Sequence, residues 1–355
     1  VSRFYNIVVG AETSPQIATG GQTAASGNTG AVWTNFVGGK ADLGAQTVEF
    51  DISSFTFDTP ISAGMVKIWG PTKQQISQAS DFNGAPIQVF AGMQNGLPLA
   101  SADVAAGQQG LIASGQIYQA FGNWQGINQT LDFVILYSAT GTQASPANIS
   151  VNWKKGQPLA DVIRTVLTTA FPTFLPPKIN ISPNLVLAQD EAHTNITLTQ
   201  LSQYVRGVSQ NIIKTNSDGT PYPGVSIAPN GNQLIVFDGT QATGNLPTAI
   251  LTQDLIGQVT WLDVAKVQFN TVMRADFVIG SAVTFPPIAG LTAITNVQSN
   301  SNVRAKNTFS GVWNITSIRH IGNSRAPDAQ SWISTFEAVS NLAPQSEFTG
   351  SEGDG

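Results

Sequence analysis

Two hydrophobic periods run along this chain, and the switch between them divides it. Phe4 to Val9 reads as a strand, best placed at a sheet edge. From Gln46 a two-residue period sets in. In QTVEFDIS, Val48, Phe50 and Ile52 alternate with Thr47, Glu49 and Asp51, as in a strand with one buried face. GMVKIWGP, APIQVFAGM, LIASGQIYQAF and NQTLDFVILY continue the pattern, with GNWQG as a turn-rich link between the last two. Short strands punctuated by Gly, Asn and Pro predict an all-β barrel or sandwich, ending near TGTQASPAN.

The period then lengthens. GQPLADVIRTVLTTAFP sets Leu159, Val162, Ile163, Val166, Leu167 and Ala170 at helical spacing, with Pro158 in the first turn and Pro172 as the stop. TLTQLSQYVRGVSQNIIK predicts a second amphipathic helix with Leu198, Leu201, Val205, Val208 and Ile212 as its apolar stripe, despite Gly207. GVSIAPNGNQLIVFDG reads as a hairpin, Val225–Ile227 and Leu234–Phe237 around a Pro-Asn-Gly-Asn turn. Strands return with GQVTWLDVAKVQF, DFVIGSAVTFP, GVWNITSIRHI and SWISTFEAVSN. The expected fold is mostly β, with two similar β-barrel domains flanking a smaller, helix-containing α+β insert. Its divisions are 1–45, an N-terminal strand and a small-residue arm (Gly10–Gly30); 46–148, the first barrel; 149–240, the insert; 241–343, the second barrel; and 344–355, a disordered acidic tail.

The two β regions echo each other. SGQIYQAFGNWQGINQTLDFVIL (Ser114–Leu136) and SGVWNITSIRHIGNSRAPDAQSWISTFEAV (Ser310–Val339) each open on Ser-Gly, alternate, loop, and return through a central aromatic, Phe133 or Phe336. PIQVFAG and DFVIGSAV correspond loosely ahead of them. The identity is low, so the echo alone leaves duplication open.

Composition narrows the function. Only 10% of the 355 residues are charged, against roughly 25% in ordinary soluble domains. Such a surface suits a protein packed into an assembly. The net charge of -5 argues against a dedicated nucleic-acid binder. There is no cysteine for a disulfide or thiolate metal site, and no apolar run long enough to span a membrane. The apolar patch at the N-terminus is too short for a secretory leader. The sequons at Asn128, Asn148, Asn195 and Asn314 read as chance matches in an Asn-rich chain.

Candidate chemistry is thin. His320, Asp328 and Ser331 lie close in sequence, but no Gly-x-Ser-x-Gly elbow accompanies them, and Ser331 opens a strand. The expected role of His320 and Arg325 is to hydrogen-bond loop carbonyls or a neighbour. DEAH (Asp190–His193) lacks a Walker A partner and reads as a chance match in a loop. Glu49, Asp51, Asp132 and Asp276 are placed on strands, as solvated faces or ion pairs in preference to glycosidase carboxylates. No catalytic residue, cofactor or metal ligand is assigned. Arg304, Lys306, Arg319, His320 and Arg325 gather in the last β region, either as a basic strand edge or as a docking patch for an acidic partner.

Several stretches resemble the central baseplate hub protein of contractile-tail bacteriophages, an architecture shared with the opening region of type VI secretion spike proteins. They are PIQVFAGMQNG…GLIASGQI, GQPLADVIRTVL, TLTQLSQYVRGVSQ with YPGVSIAPNGNQLIVFDG, LIGQVTWLDVAKVQFNTVMRADFVIGSAVTF, and SIRHIGNSRAPDAQSWISTFEAV. Each motif is weak, and their order carries the resemblance. It implies that the last hairpin closes a barrel, with Trp332 and Phe336 in its core and His320 and Asp328 fixing the loop. It also implies a non-enzymatic homotrimer whose paired barrels make a pseudo-sixfold ring. That ring joins the hexameric tail tube to a trimeric central spike carried on a separate polypeptide, alongside other baseplate proteins. The implied place is the virion tail, assembled in the host cytoplasm, and a net negative lumen would repel DNA instead of trapping it. The alternatives are a receptor- or glycan-binding adhesin using loop tryptophans such as Trp33 and Trp124, and a peptidoglycan-cleaving enzyme.

Overall fold

The computed structural model describes residues 3–10, 30–37, 40–56, 63–93, 108–136, 148–172, 174–215, 222–230, 233–239, 247–263, 266–286, 309 and 311–340. The first β region contains β1 (Arg3–Val9), β2 (Ala31–Thr34), β3 (Phe36–Val37), β4 (Lys40–Ala41), β5 (Val48–Phe55), β6 (Ala63–Trp69), β7 (Pro86–Met93), β8 (Gly110–Gln125) and β9 (Asn128–Leu136). A short helix, α1 (Lys73–Ser77), follows β6. The middle region holds β10 (Ile149–Trp153), α2 (Leu159–Ala170), β11 (Leu175–Asn180), β12 (Glu191–Asn195), α3 (Leu198–Ile212), β13 (Ser226–Asn230) and β14 (Gln233–Phe237). The last region holds β15 (Thr248–Ala249), β16 (Thr260–Asp263), β17 (Lys266–Val272), β18 (Ala282–Thr284), β19 (Trp313–Asn323) and β20 (Trp332–Ser340). The protein is mostly β, as the alternating pattern predicts.

The two β regions repeat one topology. Five strands of the first lie in the order β5-β6-β9-β8-β7, and five of the last in the order β16-β17-β20-β19-β18, every neighbouring pair antiparallel. The irregularities repeat too. Tyr118 is the extra residue where β8 pairs with β9, and Thr316 is the extra residue where β19 pairs with β20. Such bulges are specific devices, so their coincidence weighs more than shared alternation. The Gly84 amide donates to the Ile117 carbonyl and the Ile117 amide to Ala85; Gly280, Ile315 and Ser281 form the same pair of bonds. Gly84 and Gly280 both have positive φ, 78° and 84°. This register sets Ile117 against Ile315 and therefore Ser114 against Val312, so the two Ser-Gly openings are not equivalent.

One 13-stranded sheet includes both regions. They meet where β19 pairs with β5, from Ser317↔Phe55 to Asn323↔Glu49. Among the described residues the strand path runs open from β16 to β2. The N-terminal strand is not at an edge: β1 lies between β7 and β2, and Tyr5, Ile7 and Val9 are buried in the first core.

The insert follows its helical periods. Pro158 stands at the N-cap position of α2 without a side-chain cap, whereas the Thr197 hydroxyl accepts from the Gln200 amide at 3.2 Å to cap α3. Leu159, Val162, Ile163, Val166 and Leu167 of α2 pack with Leu198, Leu201 and Val205 of α3 in a second core. The β13–β14 hairpin is buried on both faces. Ile227, Leu234 and Val236 face that core, whereas Ala228, Ile235 and Phe237 face a third core built by the last region. This explains the unbroken apolar run in QLIVF.

Several local expectations change. GNWQG lies mostly within β8, because only Gly126 and Ile127 turn the hairpin. Pro229 and Asn230 belong to β13, so the connection to β14 is tighter than a Pro-Asn-Gly-Asn turn. Within DFVIGSAVTFP only Ala282–Thr284 is strand, and Asp276 sits in a bend instead of on a strand. Glu191, Ala192 and His193 of DEAH lie in β12, not in a loop. Helix α1 has no counterpart in the pattern because five residues are too few to show a period. The arm from 11 to 29 and the tail from 341 lie outside the described residues.

Gly322 tests the joint between the regions. A Cβ there would meet the Phe50 ring at 2.3 Å, and that ring is wedged against Trp332 at 5.2 Å. Gly322→Ala should lower stability by about 1–3 kcal/mol in urea unfolding. An unchanged midpoint would show that the joint is slack.

Candidate functional site: the seam between the two β regions

His320 lies at the seam where β19 pairs with β20 on one side and β5 on the other. Alternation along β19 sets Ile318, His320 and Gly322 on its buried side. His320 Nδ1 lies 2.8 Å from the Ser334 hydroxyl of β20, and the register places the two residues opposite each other. The Ser334 hydroxyl also accepts from the Arg274 amide at 3.1 Å. His320 is fully enclosed, and burial lowers its pKa to about 4, so the imidazole is neutral at pH 7. Ser331, the hydroxyl nearest in sequence to Asp328, instead donates to the carbonyls of Ala326 and Asp328. No Ser-His-Asp relay is assembled.

Arg274 is the second element. It follows β17 and is only 4% exposed. Its guanidinium grips Asp276 through two bonds, at 2.9 and 2.6 Å, and reaches Asp254 at 3.0 Å. It also lies over the Phe277 ring at 4.2 Å. Burial disfavours its charge, but the two carboxylates outweigh that and raise its pKa. Its neighbour Met273 is buried in the first core, and Phe277 in the third.

The expected barrel-closing pair splits the same way. Phe336 is buried in the third core, stacked on Phe269 at 5.0 Å. Trp332 lies in the first core, beside Phe50, and its indole donates to the Gly92 carbonyl at 2.9 Å. It therefore pins the last region onto the first instead of filling its own sheet. Arg3 covers the Trp332 ring at 5.8 Å and donates to the carbonyls of Asn323 and Asp328. Asp328 thus fixes the loop through its backbone, with Arg3 as partner in place of His320.

Three of the five residues of the expected basic docking patch are described, and each is buried or bonded within the chain. Arg304 and Lys306 lie outside the described residues. His320 is buried. Arg319 is half-exposed but bonded to Asp51 of β5 at 2.8 and 2.5 Å, which raises its pKa. Arg325 donates to the carbonyls of Leu43 and Ala45. These cations bind the seam of their own chain.

The four carboxylates considered as hydrolytic acids each have a different neighbour. Asp51 is with Arg319, Asp276 with Arg274, and Glu49 accepts from Asn323 at 2.9 Å. Asp132 is buried opposite Lys67, and desolvation raises its pKa. Trp33 is a core residue of β2, packed on Phe133 at 5.6 Å, whereas Trp124 on β8 is 60% exposed. Among the described residues no group of three or more His, Asp or Glu side chains could hold a metal ion. A groove between β10 and α2, lined by Asn152, Gln157, Thr165 and Thr169 among others, has no titratable side chain.

Sequence reasoning missed Ser334, Arg274, Asp254 and Arg3. The first had a signal: His320 falls in phase with buried Ile318 on an alternating strand and so needs a buried polar partner. Nothing in the sequence marks Arg3, whose partners lie at the far end of the chain.

Two tests follow from this geometry. The His320 pKa is about 4 in the fold against an ordinary 6.5, so the unfolded chain takes up the proton first. Its contribution is complete above pH 6.5 and drains away as pH falls toward 4, at most about 3 kcal/mol. Denaturant titrations across that range should show a shallower pH dependence for His320→Gln than for the wild type, and parallel curves would contradict a neutral His320. Arg274→Met leaves the buried Asp254 and the partly buried Asp276 without their cation and should cost about 3–5 kcal/mol by the same measurement. A loss below about 1 kcal/mol would mean that the triad is hydrated.

No protein family and no curated protein matches the sequence. Solved structures match in shape. The tail protein from Neisseria meningitidis MC58 is 9% identical, with 96% of this chain and 97% of that chain covered at a TM-score of 0.50. The 43 kDa tail protein of prophage MuSo2 from Shewanella oneidensis is 9% identical, covering 95% and 98%, with a TM-score of 0.47. The E. coli c3393 protein, a component of the type VI secretion system with structural similarity to the T4 tail proteins gp27 and gp5, is 9% identical, covering 84% and 74%, with a TM-score of 0.46. This chain has the fold of the Neisseria tail protein along nearly its whole length.

Proposed function

We propose that this chain is the structural hub of a phage-type tail baseplate. Three copies form a ring of six like β units, one face meeting the hexameric tail tube and the other a trimeric central spike. The observation that carries the reading is the repeated five-strand order within one chain. A protein with two like units can present sixfold spacing with threefold stoichiometry, which is the mismatch that a hub must bridge. The low charge fits large, permanent interfaces, whose cores are depleted of charged residues. The location that follows is the tail baseplate of a virion or a related contractile particle.

The role is non-enzymatic. Asp51, Asp276 and His320 are engaged in holding the seam, each with a structural partner. The adhesin alternative loses Trp33 to the core and keeps only Trp124.

Native mass spectrometry of the purified chain should show a trimer, three times the 37.3 kDa protomer, that co-sediments with the tube and spike proteins encoded beside it. A monomer that binds glycans and ignores the tube would transfer the case to the adhesin. A peptidoglycan zymogram should stay uncleared.

A further inference from the structure

The helical insert holds a strand edge that borders open space. β10 pairs with β12 along one edge, and among the described residues no strand lies on the other. The groove between β10 and α2 has a volume of about 430 Å³, and every residue of its lining is among those described. Ile149, from the buried face of β10, lines it together with Ser150 and Asn152, from the exposed face. Residues of both faces meet the groove, so it runs along the edge of the strand and not across one face.

The opposite wall is a single stripe of α2. Val162, Thr165, Val166 and Thr169 recur at three- and four-residue spacing and lie above one another. The Thr165 hydroxyl donates to the Asp161 carbonyl at 3.0 Å and the Thr169 hydroxyl to the Thr165 carbonyl at 2.8 Å. This wall therefore presents methyl groups and acceptor oxygens, and no titratable side chain lines the groove.

β10 also lacks the devices that keep an edge strand to itself. Natural edges are protected by charge, proline or a bulge. ISVNW has no charged residue and no proline, and its register is unbroken from Ile149↔Asn195 to Trp153↔Glu191. Its partner β12 carries Glu191 and His193, so the contrast lies within one ladder.

We propose that the groove takes an extended segment of a partner protein, which adds to β10 as a third strand. Alternate residues of an edge strand turn their N–H and C=O groups outward, and a second main chain satisfies such a row at its own spacing. The walls define the chemistry of the segment. Side chains directed at α2 meet Val162 and Val166 and must be small and uncharged, because a charge there would lose its water and find no counter-ion. Such a contact adds to the ring proposed above and does not depend on it.

Hydrogen exchange on the full chain supplies the first test. Alternate amides of β10 should exchange freely, and those between them, bonded to β12, slowly. The probe is a displayed library of random peptides about seven residues long, slightly more than one typical strand. Enriched sequences should alternate small or β-branched uncharged residues without proline, and the synthetic peptide should protect the freely exchanging β10 amides. Thr169→Arg brings a charged chain into the groove from an exposed helix position and should weaken binding about tenfold or more. Thr168→Arg, exposed on the same helix but outside the groove lining, should change binding by less than about twofold. A selection without binders overturns the proposal, as do peptides that bind both variants alike or protect amides elsewhere. Full protection of β10 in the free chain overturns it too, and protection that vanishes on dilution would give the groove to a second copy of this chain.

Discussion

A β-strand has two edges, and β19 must serve three neighbours with them. One edge is filled by β20 along nearly its whole length. The other is divided: Trp313 and Asn314 pair with β18, and Ser317 to Asn323 pair with β5. The bulge at Thr316 falls between the two stretches. An extra residue bends its strand and tightens the local twist, which is how one strand can leave its own sheet and enter the next. The relation of the two β regions depends on that divided edge. The aromatic Trp332 and the thioether Met273, both rooted in the last region, then fill the first core and keep the crossing dry.

The polar groups at this crossing are arranged to avoid unpaired burial. His320 and Ser334 face each other across β19 and β20, and the Arg274 amide completes the hydroxyl. Arg274 brings its charge inside only because Asp276 and Asp254 receive it. Such groups contribute little net stability compared with well-packed apolar ones, yet a shifted register would strand each of them at a cost of about 1–3 kcal/mol. A one-residue slip of β19 on β5 would also send His320 to solvent and Arg319 inward. The surface pair Arg319–Asp51 adds under about 1 kcal/mol, being half-exposed.

Much of the architecture was legible in the chain. Val48, Phe50 and Ile52 alternate in the sequence and are buried in the structure; α2 and α3 occupy the predicted segments because helical spacing over many residues is a strong local signal. What the pattern could not convey is partnership. Trp332 and Phe336 are both strongly apolar and lie four apart, yet they serve different cores, because that depends on which sheet lies above each. The partners of the basic residues were hidden for a related reason. Arg319 and Arg325 are basic in any reading, but their carboxylate and carbonyl partners lie at Asp51, Leu43 and Ala45, far away in sequence. The duplication was visible only as an echo until the bulges and the Gly84 and Gly280 turns fixed its phase.

The hairpin of β13 and β14 has no spare side, since one face belongs to the helical insert and the other to the last β region. That ties the evolutionary fortunes of the two together. An exchange at Leu234 or Val236 is judged by one set of neighbours, and an exchange at Ile235 or Phe237 by another, so the ribbon can drift only where both tolerate it. A lineage could embellish the helices or the outer loops freely, but swapping the insert wholesale would tear a wall from the adjoining region. Modularity in this chain therefore stops short of the ribbon that its two halves share.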